Sequence, residues 1–485
     1  MNLKGFQACD FRGIFGNTPD SQVSPIHAFI IGECIADLVP KGEMALVSGD
    51  GRVSTPTILG ALMRAIGNKA HYIGTRIPTP VAYYYKHAKK IHSSVIVTAS
   101  HNPAEFNGIK IQIGDRPITP EQMATIRNWV SQRYANGLVP HLLFHPEPPP
   151  VKDASANSIY ARFLVSLFKG KRRRASVALD CMHGCWSGLA ASIVADAGYE
   201  VNALRDKVLP DFGGAIPDPS EDSALKEISQ SVARGNFLLG VGLDGDGDRV
   251  RFLDEHGKLL DNGTMMVLFV RYLIETGRCQ PGARVVYDQK TRIAVVRALV
   301  DAGAKPIMER SGHTFIRKRI LDEKTVFGGE NSGHFFWNIS HFSPFPAGDC
   351  GLFATLAAAD MIQFYGMPLS ELATTVACSP FYTGDIRNLR YAGNRQLLFC
   401  KIADALREKG YKPDTTDGIR IEQPDAFAHL RPSVTEPDMI TAVFDADSSV
   451  ALKNIAHIVC SSIPQDAKHI ALTIKQKIEE LLCSK

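Results

Sequence analysis

Residues 238–248 read LLGVGLDGDGD, an apolar run that stops at a loop of alternating aspartate and glycine. The same grammar recurs at 95–103, VIVTASHNP, and at 325–334, TVFGGENSGH. A short apolar run bounded by turn residues predicts a buried strand. Helix-like stretches lie between such runs. Ser24-Pro25 supplies an N-cap and a proline at N1, and Ile26, Phe29, Ile30 and Leu38 are expected to line one face of the helix that follows. Further runs at MALVSG, HYIGT and SSVIVTAS continue the alternation, so roughly the first 370 residues predict α/β units with largely parallel sheets.

The pattern restarts twice, at KGKRRRASVALD before a strand near Val177 and at GARVVYD before a strand near Val285. Ligands of α/β sheets bind at loops beyond the carboxyl ends of strands. Three such loops predict three related α/β domains facing one cleft. The last stretch differs: GIRIEQ, HLRPSV and MITAVFDA predict strands, and Ser462 to Leu482 predicts an amphipathic terminal helix. The expected fold is therefore three related α/β domains with mostly parallel or mixed sheets, plus a C-terminal α+β domain, around a central cleft. The expected divisions are 1–152 with the serine loop, 153–256 with the aspartate loop, 257–373 and 374–485. The Pro-rich stretch HPEPPPVKD, His145 to Asp153, is the candidate linker. The basic run Lys169 to Arg174 predicts a solvated connection.

A length of 485 residues calls for several cores. A formal net charge of +4 leaves no general field for nucleic acid or a membrane surface, but does not exclude small anions. The opening MNLKGFQACDFRG lacks the apolar core of a signal peptide. No apolar run reaches the roughly 18 residues of a membrane span. Ten scattered cysteines predict reduced thiols and a cytoplasmic protein. Cys181, His183 and Cys185 have the spacing of half a zinc site, but no second ligand pair follows.

Asp244, Asp246 and Asp248 repel one another unless a cation relieves them. The spacing resembles the start of a calcium loop, with Glu255 at the twelfth place, but Arg249 stands where that loop needs glycine. Apolar, strand-like runs flank the loop, where the calcium motif has helices. Magnesium suits a few carboxylates plus a phosphate oxygen. Ser100 follows a predicted strand in TASHNP; by itself it caps a turn, whereas beside a metal loop it becomes a candidate nucleophile. His101 and Lys110 are placed to position or neutralise a phosphoryl group. Lys290 in DQKTR and His313 in SGHTF are weaker signals. RPSVTEP, Arg431 to Pro437, combines a guanidinium, hydroxyls and backbone N–H groups that suit a phosphate dianion.

Together TASHNP, DGDGDR, GENSGH and RPSVTEP resemble, in order and separation, the α-D-phosphohexomutase superfamily of the phosphomannomutase/phosphoglucomutase type. CDFRG, GDGRVS (Gly49 to Ser54), GTRIPTP ending at Pro80, FNGIK and SGHTF also fit, so the likeness covers nearly the whole chain. It implies that Ser100 carries the transferable phosphoryl group, and that Mg²⁺ binds it together with Asp244, Asp246 and Asp248. Arg12, Lys110, Arg249 and Lys290 would surround the reacting phosphate, with His101 beside the serine and His313 near the sugar. Glu330 and Ser332 would read sugar hydroxyls, with Gly312 and His334 in the same substrate-binding set. Arg431, Ser433, Val434 and Thr435 would hold the phosphate that is not reacting. Two positions depart from the family pattern. Cys9 replaces a usual tyrosine of the substrate cleft, and Val434 a usual glycine, asparagine or serine.

The implied activity is reversible phosphoryl transfer between O1 and O6 of a hexose phosphate, mannose or glucose, through a hexose 1,6-bisphosphate. A monomer or homodimer in the cytoplasm is expected, with no nucleic-acid or membrane partner. Phosphoglucosamine mutase is the alternative within the family, but its usual GEQSGH and RPSGTEP are not matched. A phosphosugar-binding protein without turnover is the alternative outside catalysis, and intact Ser100, Lys110 and the aspartates argue against it. Nothing in the sequence favours water as acceptor, which a phosphoserine phosphatase would need.

Overall fold

The computed structural model describes residues 1–137, 148–169, 175–433 and 438–483. The first part of the candidate linker, His145 to Glu147, and the basic run from 170 to 174 lie outside them. The chain divides into two compact units, residues 1–262 with 317–373, and residues 263–316 with 374–485.

The first sheet is built from β1 (Phe11–Ile14), β2 (Ala45–Gly49), β3 (Ala70–Tyr72), β4 (Ser93–Val97), β5 (Phe106–Ile113) and β6 (Arg116–Pro117). Its order is β1-β5-β4-β2-β3, with β6 on β5. β2 pairs in parallel with β3 and β4, and β5 runs antiparallel to β4 and β1. β2 and β4 are buried along their whole length. That explains why ALVSG and SSVIV lack the alternation of a half-exposed strand.

The helix Pro25–Leu38 starts as the sequence predicts, with Ser24 accepting from the His27 N–H. Its predicted single face does not hold. Leu38 is exposed, Ile26 is half-buried, and His27, Ala28 and Ile31 are buried beside Phe29 and Ile30. The helix packs on both Thr55–Ile66 and Pro120–Ala135 as well as on the sheet, so most of its circumference is covered. At Gly32 a Cβ would stand 2.6 Å from the Leu62 carbonyl oxygen, so this crossing needs glycine.

The second sheet contains β7 (Ser176–Asp180), β8 (Glu200–Leu204), β9 (Leu239–Leu243) and β10 (Val250–Leu253), in the order β10-β9-β7-β8. β7 is parallel to β8 and β9, while β9 and β10 form an antiparallel pair that flanks the aspartate loop. β11 (Arg284–Asp288) and β12 (Lys305–Glu309), a parallel pair, belong to the second unit. β13 (Phe327–Gly329), β14 (Phe335–Trp337) and β15 (Gly348–Asp349) return to the first unit as an antiparallel ribbon.

The last sheet is antiparallel throughout: β16 (Phe381–Tyr382), β17 (Ile386–Arg390), β18 (Ile419–Gln423), β19 (Ala426–Pro432) and β20 (Met439–Ala446). Helices Ser449–Cys460 and Lys468–Cys483 cover it, with Leu452, Ile455, Ile470 and Ile474 in the core. The terminal helix begins at Lys468, six residues later than the sequence reading. Ser462 is buried at the end of the preceding helix, and Pro464 leads into a short 3-10 turn. All ten cysteines are free thiols. Among the described residues, no helix is long and apolar enough to cross a membrane.

Candidate active site

Three strand ends of the first unit converge. The loop after β4 carries Ser100, the turn between β9 and β10 carries the aspartates, and the turn between β13 and β14 carries Glu330 to His334. Ser100 is buried and its Oγ donates to Asp244 Oδ2 at 2.7 Å. Its φ is 51°, a left-handed backbone that side-chain-bearing residues rarely take. Thr98 Oγ1 holds its N–H at 2.9 Å. Glycine is required opposite: a Cβ on Gly245 would lie 2.6 Å from the Ser100 carbonyl oxygen. Gly247 has a φ of 84°, and a Cβ there would meet Trp186 Nε1 at 2.2 Å. The indole N–H instead donates to the Gly247 carbonyl at 2.9 Å, fixing the tip of the turn.

The three aspartates are buried. Each offers an oxygen, and these oxygens lie within 4.8 Å of one another. Asp244 Oδ1 accepts from the N–H groups of Gly247 (3.0 Å) and Arg249 (3.1 Å). Burial, then the charges of Asp248 and Asp246, push the Asp244 carboxyl well above the carboxylate range. Lys110, on β5, donates from Nζ to Asp246 Oδ2 and Asp248 Oδ2, each at 2.7 Å. Burial alone would lower this ammonium's pKa, but the two carboxylates outweigh it and raise it. The other oxygens, Asp246 Oδ1 and Asp248 Oδ1, are buried with no hydrogen-bond partner among the described residues. Buried carboxylate oxygens without a hydrogen-bond donor, in a cluster that brings one oxygen of each aspartate within 4.8 Å of the others, suit a hard divalent cation. The cluster is a metal site.

Cations ring the same point. Arg12, on β1 beside β5, donates to Asn102 Oδ1 at 3.0 Å and pairs with Asp10 at 2.9 Å. Arg249 is half-buried, and its Nε donates to His334 Nε2 at 2.9 Å, while His334 Nδ1 faces Asp349 Oδ2 at 3.0 Å. His101 Nδ1 lies 3.4 Å from Ser100 Oγ. Burial, then the charges of Arg249 and Arg12, hold the His101 imidazole well below its ordinary pKa. Glu330 is buried with Ser332 Oγ donating to its Oε2 at 3.4 Å. Gly333, at φ 95°, lets the turn lie on β10, where a Cβ would strike the Val250 carbonyl at 2.5 Å.

Models of phosphoglucomutase/phosphomannomutase α/β/α domains I, II and III match residues 3–136, 155–257 and 261–377, most of the chain. The chain belongs to the α-D-phosphohexomutase superfamily. It is similar to the phosphomannomutase/phosphoglucomutase of Pseudomonas aeruginosa, 26% identical over 461 residues and 93% of each chain. The phosphoglucomutase of Neisseria gonorrhoeae is 27% identical over 458 residues, 93% of this chain and 94% of that one. Among solved structures, a phosphoglucomutase/phosphomannomutase family protein from Burkholderia thailandensis aligns with a TM-score of 0.79 and 24% identity over 98% of each chain. The parafusin phosphoglucomutase of Paramecium aligns with a TM-score of 0.68 and 17% identity, covering 97% of this chain and 95% of that one. These two likenesses concern the fold, three α/β/α domains and a fourth.

Lys290, Gly312, His313, Arg431 and Ser433 belong to the second unit. Lys290, just after β11, has its Nζ 2.8 Å from Asp385 Oδ2. Gly312, at φ 131°, precedes His313, which opens the helix His313–Glu323. Arg431, on β19, is nearly buried and lies 3.2 Å from Asp417. The Ser433 N–H donates to the Met439 carbonyl at 2.8 Å. Val434 and Thr435 lie outside the described residues. Cys9, just before β1, is half-buried against the first core. Cys181 and Cys185 are buried, with thiols pushed up first by burial, and His183 Nδ1 contacts the Lys207 carbonyl at 2.8 Å.

The sequence reading gave no role to three residues that the site uses. Thr79 donates to Asp246 Oδ2 at 2.7 Å, Asp349 faces His334, and Arg52 binds the serine loop from below. Arg52 and Thr79 lie inside GDGRVS and GTRIPTP, so the motifs were visible although the roles were not.

Proposed function

We propose that this protein converts hexose 1-phosphates and 6-phosphates into one another, with Ser100 as the phosphoryl carrier, Mg²⁺ as the metal, and both mannose and glucose as sugars. It is a phosphohexose mutase, and the observation that carries the detailed reading is the Ser100 hydroxyl 2.7 Å from a buried triad of aspartates. Asp244, Asp246 and Asp248 would hold the ion. When bound, the ion supplies charge to offset the oxygens of the phosphoryl group in flight.

The chain's own residues do the rest. Lys110, Arg12 and Arg249 present cations around the serine, where phosphoryl transfer depends on positioning and on charge over the equatorial oxygens. A sugar hydroxyl oxygen bonds to phosphorus as the bond to Ser100 Oγ breaks. The proton lost by that hydroxyl equals the one the serine regains. The resulting bisphosphate turns end for end and returns its other phosphate to Ser100. Glu330 and Ser332 would hold sugar hydroxyls with His313 near the sugar, Lys290 would join the cations around the reacting phosphate, and Arg431 and Ser433 would hold the phosphate that is not reacting. The four divisions at 1–152, 153–256, 257–373 and 374–485 are proposed on the same reading, with a monomer or homodimer in the cytoplasm.

A coupled assay with mannose, glucose and glucosamine 1-phosphates tests this. Turnover of the first two, lost in chelator and restored by Mg²⁺, is expected. Selective turnover of glucosamine 1-phosphate would overturn the choice of sugar, and hydrolysis to free sugar would overturn the mutase reading.

A further inference from the structure

A buried arginine must satisfy several fixed N–H donors and a charge. Arg52 is 1% exposed and satisfies both needs at one loop. Its Nε donates to Asp50 Oδ2 at 3.0 Å. Its Nη1 donates to the carbonyls of Pro103 (2.5 Å) and Phe106 (3.1 Å), and its Nη2 to those of Ser100 (2.8 Å) and Asn102 (2.7 Å). Three of these carbonyls belong to the segment joining β4 to β5, which carries the nucleophile, and the fourth, that of Phe106, opens β5. Asp50 is fixed in turn by Thr55 Oγ1 at 2.7 Å and by the Arg52 N–H at 3.1 Å.

The face of the guanidinium lies over the Phe212 ring, 4.7 Å from its centroid. That ring also borders the aspartate turn: a Cβ on Gly245 would come 3.4 Å from Phe212 Cε1 and 2.6 Å from the Ser100 carbonyl oxygen. One guanidinium therefore grips the serine loop and, through Phe212, abuts the turn that holds the aspartates.

We propose that Arg52 is a positioning residue for phosphoryl transfer, pinning the Ser100 carbonyl against Gly245 so that the left-handed Ser100 directs Oγ at the aspartate triad. The proposal rests on the reading of Ser100 as phosphoryl carrier. Thr98 holds the N–H end of Ser100 and Arg52 its carbonyl end, so a backbone conformation that a serine rarely adopts is fixed from both sides. Arg52 acts on the serine and not on the sugar contacts assigned to Glu330 and Ser332. Its loss should slow transfer more than it weakens substrate binding.

The test compares Arg52→Met and Arg52→Lys with the unmodified protein and with Ile126→Ala, a stability control in the core of the same sheet. Each protein is assayed for Tm, for kcat and KM with mannose 1-phosphate, and for the rate at which hexose 1,6-bisphosphate phosphorylates Ser100. Misplacing a reacting atom by an ångström can cost about a hundredfold in rate. Arg52→Met is expected to lose about that in kcat and in labelling, with KM within about threefold. Arg52→Lys, which keeps the charge but not the fork, should fall between. Ile126→Ala should lower Tm and leave the labelling rate unchanged. Unmodified labelling and kcat in Arg52→Lys and Arg52→Met would overturn the proposal, as would an equal slowing in Ile126→Ala. If Arg52→Met does not fold, Arg52→Lys decides alone: slowed labelling at unchanged KM supports the proposal, and normal labelling overturns it. Failure of the unmodified protein to label at Ser100 is a separate result that removes the carrier reading and this inference with it.

Discussion

Ser100 and Asp244 are 144 positions apart, yet their side chains share a 2.7 Å hydrogen bond. On the proposal that Ser100 carries the phosphoryl group, its hydroxyl is oriented by a neighbour that the folded chain supplies. Ser100→Ala is expected to lose on the order of a thousandfold or more in kcat, as when a covalent nucleophile is deleted. Intact mass should then show the unmodified protein, but not the variant, gaining one phosphate from hexose 1,6-bisphosphate. A phosphorylated Ser100→Ala protein would place the carrier elsewhere. Other single residues govern stability instead. His27 is buried between Ser24 Oγ and the Asn2 carbonyl, both at 2.7 Å from its ring, and burial lowers its pKa to about 4. His429 is likewise lowered, to about 3, first by burial. The unfolded chain binds protons at these groups near pH 6.5 and the folded chain does not, so their contribution is present above that pH and lost as pH falls toward 4. Going from pH 7.5 to pH 5 should lower Tm by at least about 2 °C, and His429→Gln should shrink that drop. An unchanged drop in that variant would show that His429 does not titrate on unfolding.

At the level of elements, the turn between β9 and β10 has its conformation set by what presses on it. Gly245 faces the Ser100 carbonyl, and Pro217 Cγ stands 3.1 Å from where a Cβ would be. Gly245→Ala must displace the serine loop or the turn. We expect kcat to fall roughly tenfold to a hundredfold while the circular dichroism spectrum stays unchanged, because no strand or helix is altered. Full activity would mean that the two loops can separate without cost to the reaction. The strands bordering these loops were legible in the sequence, since a fully buried strand appears as an unbroken apolar run. So were Ser100, Lys110 and the aspartates, which sit in short motifs of distinct composition. The buried faces of the helix Pro25–Leu38 were not legible, because they depend on two partner helices distant in sequence. Arg52 was missed for a related reason. An arginine in a glycine-rich loop reads as a surface residue until the carbonyls of residues 100–106 are seen to surround it.

At the scale of the whole molecule, the reaction demands that one site serve both ends of its intermediate. Mannose and glucose differ only at C2, whereas the superfamily resemblance places Glu330 and Ser332 against the hydroxyls at C3 and C4. Glu330 is 6% exposed, with Ser332 Oγ 3.4 Å from its Oε2, so the carboxylate and hydroxyl form one small acceptor–donor unit. When the bisphosphate turns end for end, the C3 and C4 hydroxyls can exchange places, and this pair can serve both orientations. Neither of these two proposed contacts falls on C2. Mannose and glucose phosphates should therefore have kcat/KM values within about a hundredfold, less than roughly 3 kcal/mol of discrimination. Glu330→Gln replaces a charge-assisted hydrogen bond common to both sugars, so it should weaken both to a similar degree, each by about 1–2 kcal/mol in kcat/KM. Paired measurements on the two 1-phosphates in the unmodified protein and in Glu330→Gln separate the possibilities. A variant that lost one sugar and kept the other would show that Glu330 senses C2, and the end-for-end argument would fail.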